Sequence, residues 1–192
     1  MLALRAVLAL SLVTLLAPLG CASADDGESD NGDDEVATSA DELSTACTKT
    51  RAQILASASG GRLRAIERGF TWYDANVSYS QSRYYKGYRT DCSGFVSMCW
   101  ELGTSYTTAS FAAGEAQSEL LGSYDALAPG DALVRRQNGS GHIVLFLGWN
   151  NTAHSSACVI EQSSTALDME FGTRTTSSLH ASGYHPVRAD KF

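Results

Sequence analysis

The apolar positions of this chain form one helical pattern followed by several short runs typical of strands. After Cys92, apolar residues recur at offsets of about three and four as far as Leu102, which predicts a helix with a buried face. Further apolar runs predict strands at 132–135, 142–147, 157–161 and 185–188. Upstream, 48–70 predicts one or two helices, interrupted at adjoining glycines. Helices followed by strands predict an α+β domain.

Two stretches of the chain show no clear period. Residues 72–88 are aromatic and polar, and residues 104–117 are mainly polar. We expect the first stretch to be a loop that forms one wall of a cleft, and the second to contribute another wall.

Cys92 stands where a polar turn gives way to the predicted helix. The unpaired backbone N–H groups and the positive end of the helix dipole favour a thiolate there, lowering a pKa that starts at about 8.5. The same N–H groups can stabilise the oxygen of a tetrahedral intermediate. This position therefore predicts a cysteine nucleophile.

His142 is the histidine best placed to serve that nucleophile as base and acid. It follows a flexible stretch and opens a continuous apolar strand. The next strand ends in Glu161 and Gln162, and either side chain could orient the imidazole, as the third member of a triad does. We expect Glu161 to do so; His154, in a polar loop, is a weaker alternative.

Three motifs occur in the order found in a known family: DCSGFV at 91–96, LAPGDAL at 127–133, and His142 opening the strand that ends at Gly148. Across residues 72–162 the chain resembles the NlpC/P60 family of papain-like cysteine peptidases. The resemblance implies a nucleophile at the start of a helix that packs on an antiparallel sheet. It also implies cleavage of bacterial cell-wall peptides between D-γ-glutamate and a diamino acid, with Cys92 as nucleophile, His142 as base and acid, and Glu161 as orienter.

The same resemblance implies roles in substrate binding for three more residues. Tyr79 matches a family tyrosine that lines the cleft before the nucleophile. Asp91 and Ser93 match positions that hold the amino end of the stem peptide, and a carboxylate suits an ammonium group. LAPGDAL at 127–133 is expected to form a turn into a strand.

Glu161 departs from the family, which often has histidine as the third residue. A carboxylate should stabilise the imidazolium more strongly, so we expect the Cys/His ion pair to persist to higher pH. Motif resemblance does not assign the bond that is cut. The alternative is a papain-like amidase or acyltransferase that acts on a different amide or ester bond.

The first 24 residues have the pattern of a signal peptide. One early base, Arg5, precedes an apolar run over 6–16 that is short for a membrane span. Cys21 matches the lipidated cysteine of bacterial lipoproteins, whereas a small-residue site ending at Ala24 would give ordinary cleavage. We therefore expect a protein that is secreted or held in the cell envelope, with membrane attachment only through a lipid on Cys21.

Residues 25–42 carry nine acidic residues and no basic ones, which predicts a disordered linker ahead of a catalytic domain at 43–192. Removing these nine from the 21 acidic residues leaves 12, against 13 basic residues once Arg5 is set aside. The domain is thus nearly neutral, and without a basic stripe carrying interleaved aromatics we expect no nucleic-acid partner. We expect a monomer whose partner is a peptidoglycan peptide.

The five cysteines fit an oxidising compartment. If Cys21 is lipidated and Cys92 is reserved as the nucleophile, then Cys47, Cys99 and Cys158 remain, and at most one pair among them can form. The sequence does not select the pair. It has no Cys-x-x-Cys motif and no histidine-rich cluster, so we expect no metal and no cofactor.

Overall fold

A computed structural model describes residues 45–192 of the chain. The predictions for the signal peptide at 1–24, lipidation at Cys21 and the linker at 25–42 lie outside the described residues. No helix within 45–192 combines the length and the apolar character needed to cross a membrane.

The described residues form five α-helices and eight strands. The helices are α1 (Arg51–Ala56), α2 (Gly60–Asp74), α3 (Cys92–Cys99), α4 (Thr108–Ala113) and α5 (Thr176–Ala181). The strands are β1 (Ser80–Tyr85), β2 (Tyr88–Thr90), β3 (Ser118–Leu120), β4 (Ala132–Gln137), β5 (Ser140–Trp149), β6 (Ser156–Gln162), β7 (Met169–Thr175) and β8 (His185–Ala189).

Six of the strands form one antiparallel sheet in the order β3-β8-β4-β5-β6-β7, and β1 pairs with β2 in a separate hairpin. The predicted α+β class is therefore confirmed at the level of mixed helices and antiparallel sheet. Strand β5 lies at the centre and is buried over most of its length, in agreement with its continuous apolar sequence.

Helix α3 packs on β5 and β6, and α2 packs beside α3. The larger core lies on this helical side of the sheet and contains Phe95, Ile143 and Leu145. Because side chains alternate along a strand, Val144 belongs instead to a second core, which also contains Val159. The helix that begins at Cys92 is thereby held against the strand that carries His142.

The expectation of a loop over 72–88 is wrong. Helix α2 continues to Asp74, and the β1–β2 hairpin occupies much of the remainder. The aromatic residues that obscured the period are used for packing, since Trp72 contacts the rings of Tyr85 and Phe95. The stretch 104–117 contains the short helix α4. Strand β7, at the edge of the sheet, was not predicted.

A disulfide joins Cys47 to Cys158, and Cys92 and Cys99 are reduced thiols. The disulfide ties the start of the described chain to β6. Thr45 reinforces the attachment through a bridge to Thr173 on β7. This selects one of the pairings that the sequence left open.

Candidate active site

The start of α3 is shaped by the residues around Cys92. Asp91 caps the helix, with its Oδ1 atom accepting a hydrogen bond from the Gly94 amide at 2.7 Å. Only glycine fits at position 94 without a steric clash, because a Cβ atom there would overlap the Arg89 carbonyl oxygen and lie 2.7 Å from the carbonyl carbon. Strand β2 and the first turn of α3 are thus in direct contact.

His142 is held by Glu161. The imidazole Nε2 atom lies 2.6 Å from Glu161 Oε2, and both side chains are fully buried. Because an ionised carboxylate can only accept, Nε2–H donates, and the neutral ring then has Nδ1 as its acceptor atom. This is the tautomer that a general base facing a thiol requires.

Arg174, on β7, holds the other side of Glu161. Its Nε atom donates to Oε1 at 3.1 Å and its Nη2 atom donates to Oε2 at 2.7 Å. Burial alone would raise the pKa of the Glu161 carboxyl. The charge of Arg174 and the contact with His142 outweigh burial and lower this pKa to about 2, so Glu161 is ionised near neutral pH.

The two alternatives to Glu161 lie elsewhere. Gln162 donates from Nε2 to the Val77 carbonyl oxygen at 2.8 Å, and its Oε1 atom makes no hydrogen bond. His154 stacks on the indole of Trp149, with the ring centroids 4.4 Å apart. The side chain that the structure brings to His142 is therefore that of Glu161.

No hydrogen bond joins Cys92 to His142 Nδ1. Cys92 is fully buried in the core on the helical side, whereas Glu161 shares a strand face with Val159 in the second core. His142 Nδ1 is buried and makes no hydrogen bond. A contact between this atom and the Cys92 thiol stays a prediction.

Asp91 and Ser93 have structural partners close at hand. Both are almost fully buried, Arg89 Nε donates to Asp91 Oδ2, and Arg89 Nη2 donates to Ser93 Oγ at 2.9 Å. Asp91 thus caps the helix and neutralises Arg89. Its role in holding a substrate ammonium group stays a prediction, and so does the role of Ser93.

Tyr79 lies on the segment just before β1 and is 7% exposed. Its amide donates to Asp168 Oδ1 at 2.8 Å, which connects this segment to the turn that precedes β7. The backbone of the candidate cleft residue is therefore anchored to the main sheet. Its part in substrate binding stays a prediction.

Arg174 and Arg89 were missed by the sequence reasoning. Arg89 lies three positions before the predicted nucleophile, so its proximity along the chain could have suggested a role. Arg174 lies on the strand that was not predicted, and no local signal links it to Glu161.

Within residues 45–192, no group of three or more histidine, cysteine, aspartate or glutamate residues is arranged to hold a metal ion.

Comparison with models of known protein families yields no match, and no curated protein shows significant similarity to this chain.

Proposed function

We propose that this chain is a secreted or lipid-anchored cysteine peptidase that hydrolyses peptidoglycan stem peptides, with a papain-like NlpC/P60 arrangement of its α+β domain. The expected target is the bond between D-γ-glutamate and a diamino acid. The observation that carries the proposal is the buried His142–Glu161 hydrogen bond, which orients an imidazole on the strand packed against the helix that Cys92 begins.

In the proposed reaction, the Cys92 thiolate attacks the carbonyl carbon of the substrate amide. The oxyanion forms beside the first turn of α3, where the amides of Cys92 and Ser93 are the candidate donors. Protonated His142 then gives its proton to the leaving amine, and the C–N bond breaks to form a thioester. Neutral His142 next takes a proton from water, whose oxygen attacks the thioester; the C–S bond breaks, the acid is released, and the Cys92 thiolate is restored beside protonated His142.

The disulfide supports the exported location in this proposal. Disulfides form and persist in oxidising compartments and are rare in the cytosol. The Cys47–Cys158 bond links residues 111 positions apart and attaches the segment that follows the predicted linker. An exported domain tethered by its N-terminal region would benefit from such an attachment.

Digestion of defined muropeptides, followed by mass analysis, tests the proposal. The purified protein is compared with Cys92→Ala and with the matched control Cys99→Ala. Cys99 is the second reduced thiol, and burial raises the pKa of its thiol, which disfavours a reactive thiolate. We expect cleavage between glutamate and the diamino acid, loss of this activity in Cys92→Ala, and its retention in Cys99→Ala.

The products also separate the proposal from its alternative. Release of the whole stem peptide from the glycan would identify an amidase, and transfer of the acyl group to an added amine would identify an acyltransferase. Unchanged cleavage by Cys92→Ala would rule out thiol catalysis altogether.

A further inference from the structure

Glu161 Oε2 accepts from two donors at once. His142 Nε2 lies 2.6 Å away and Arg174 Nη2 lies 2.7 Å away, while Arg174 Nε binds the second carboxylate oxygen at 3.1 Å. Arg174 is only 3% exposed, and His142 and Glu161 are fully buried. The three side chains therefore form a buried hydrogen-bonded series, in which Arg174 on β7 contacts Glu161 on β6 and Glu161 contacts His142 on β5.

Two more charged side chains lie on the strands beside these three residues. Arg135 lies opposite His142 on β4, and Glu170 lies opposite Glu161 on β7. The guanidinium carbons of Arg135 and Arg174 lie 5.8 Å and 5.7 Å from the ring centroid of Tyr184. Two guanidinium groups, of Arg135 and Arg174, therefore accompany two carboxyl groups, of Glu161 and Glu170, in this neighbourhood.

A buried carboxylate without a counter-ion would hold an adjacent imidazole in its protonated form. Opposite charges in contact attract more strongly in a desolvated site than in water, because the effective dielectric constant is lower there. The proposed peptidase reaction needs His142 in both forms, protonated for release of the amine and neutral for activation of water. An imidazole locked as imidazolium would therefore stall at the thioester.

We propose that Arg174 is a positioning residue that clamps Glu161 and offsets its charge, so that Glu161 orients His142 without locking it in the protonated form. This inference rests on the proposed function. It changes the expectation drawn from the sequence, because the carboxylate that replaces the family's histidine acts together with a bidentate arginine. Arg174 acts on His142 through Glu161, which it holds in place and whose charge it offsets.

Titration of the His142 ring by NMR tests this role without substrate. The purified protein is labelled with ¹³C-histidine, and the His142 signal is identified among four histidines by its absence from His142→Gln. In Arg174→Met the midpoint of the His142 titration is expected to rise by about one pH unit, a tenfold change in the ratio of neutral to protonated ring at a given pH. An unchanged midpoint would overturn the proposal.

Three further variants separate electrostatic positioning from a structural role. Arg174→Lys keeps the charge and is expected to shift the midpoint less than Arg174→Met. If Arg174→Met does not fold, Arg174→Gln keeps a donor without the charge and is expected to raise the midpoint in the same direction. Arg51→Met, which removes an exposed arginine paired with Asp74, serves as the control and is expected to leave the His142 titration unchanged.

A double variant tests whether Arg174 acts through Glu161. Once Glu161→Gln has removed the carboxylate, adding Arg174→Met should change the midpoint much less than it does in the parent protein. A full Arg174→Met shift in the protein that already carries Glu161→Gln would contradict the proposal. Failure of the proposed function is detected separately, since the Cys92→Ala digestion measures cleavage and the ring titration does not depend on it.

Discussion

Gly94→Ala tests whether the close approach of β2 to α3 positions the nucleophile. The added Cβ atom would overlap the Arg89 carbonyl oxygen, and it would lie 2.7 Å from the carbonyl carbon and 2.9 Å from Asp91 Oδ1. Carbon atoms in favourable contact are about 3.5 Å apart or more, so the strand and the helix must separate by about 1 Å. The obstructing atoms of Arg89 are backbone, which cannot rotate aside.

This displacement has two consequences for the protein. It strains the cap formed by Asp91 and the Gly94 amide, and overpacking of this kind costs about 1–3 kcal/mol of unfolding free energy. It also moves Cys92 relative to His142. Misplacement of a reacting group by about 1 Å lowers the rate by about 100-fold, so kcat/KM should fall far more than the change in stability explains.

Urea unfolding and the muropeptide assay measure both effects. Gly103→Ala is the matched control, since a Cβ atom at Gly103 meets no atom within 4 Å. We expect Gly103→Ala to retain parental activity and Gly94→Ala to lose it while remaining folded. If the two variants behave alike in both measurements, the contact between Arg89 and Gly94 does not position the nucleophile.

Three further predictions concern stability, each measured by urea unfolding. Removing the disulfide in Cys47→Ala/Cys158→Ala should cost about 4–5 kcal/mol, because the bond spans 111 residues; a loss below about 1 kcal/mol would contradict this. The pKa of Glu161 is lowered from 4.5 to about 2, so its ionisation contributes about 3 kcal/mol that is complete above pH 4.5 and is lost as the pH falls towards 2. Glu161→Gln should therefore flatten the stability profile in that window, whereas a profile parallel to the parent's would refute this. Asp131→Asn should lower the free energy of unfolding by about 3 kcal/mol, because Asp131 is fully buried between two arginines. Asp74→Asn removes an exposed ion pair and should lower it by under about 1 kcal/mol. Equal losses in the two variants would count against the argument.

The central elements could be predicted from the sequence because their patterns are strong. The helix from Cys92 shows an apolar period, and the strand from His142 shows a continuous apolar run; both are buried in the fold. Strand β7 could not be predicted in this way, because only Met169 and Phe171 mark its apolar positions and the rest is polar or glycine. An edge strand with so few apolar residues leaves a weak period.

The partners within the site depended on three-dimensional geometry. Glu161 and Gln162 are adjacent on one strand and point to opposite faces of the sheet. A shift of the strand by one residue would exchange their faces, so the sequence alone did not decide which of them contacts His142. Arg174 reaches Glu161 from a neighbouring strand, a contact that no local pattern encodes. The disulfide likewise required the Cα atoms of Cys47 and Cys158 to lie 5.4 Å apart, which spacing along the chain does not reveal.

The pH dependence of Cys92 alkylation tests most directly whether this thiol is activated by its helix and by His142. Iodoacetamide modification is followed by peptide mass analysis that assigns the label to Cys92 or to Cys99, in the parent protein and in His142→Gln. We predict that Cys92 reacts as a thiolate well below pH 8 and that His142→Gln abolishes this low-pH reactivity. Reaction of Cys92 with the profile of an ordinary thiol in both proteins would contradict the proposed catalytic pair.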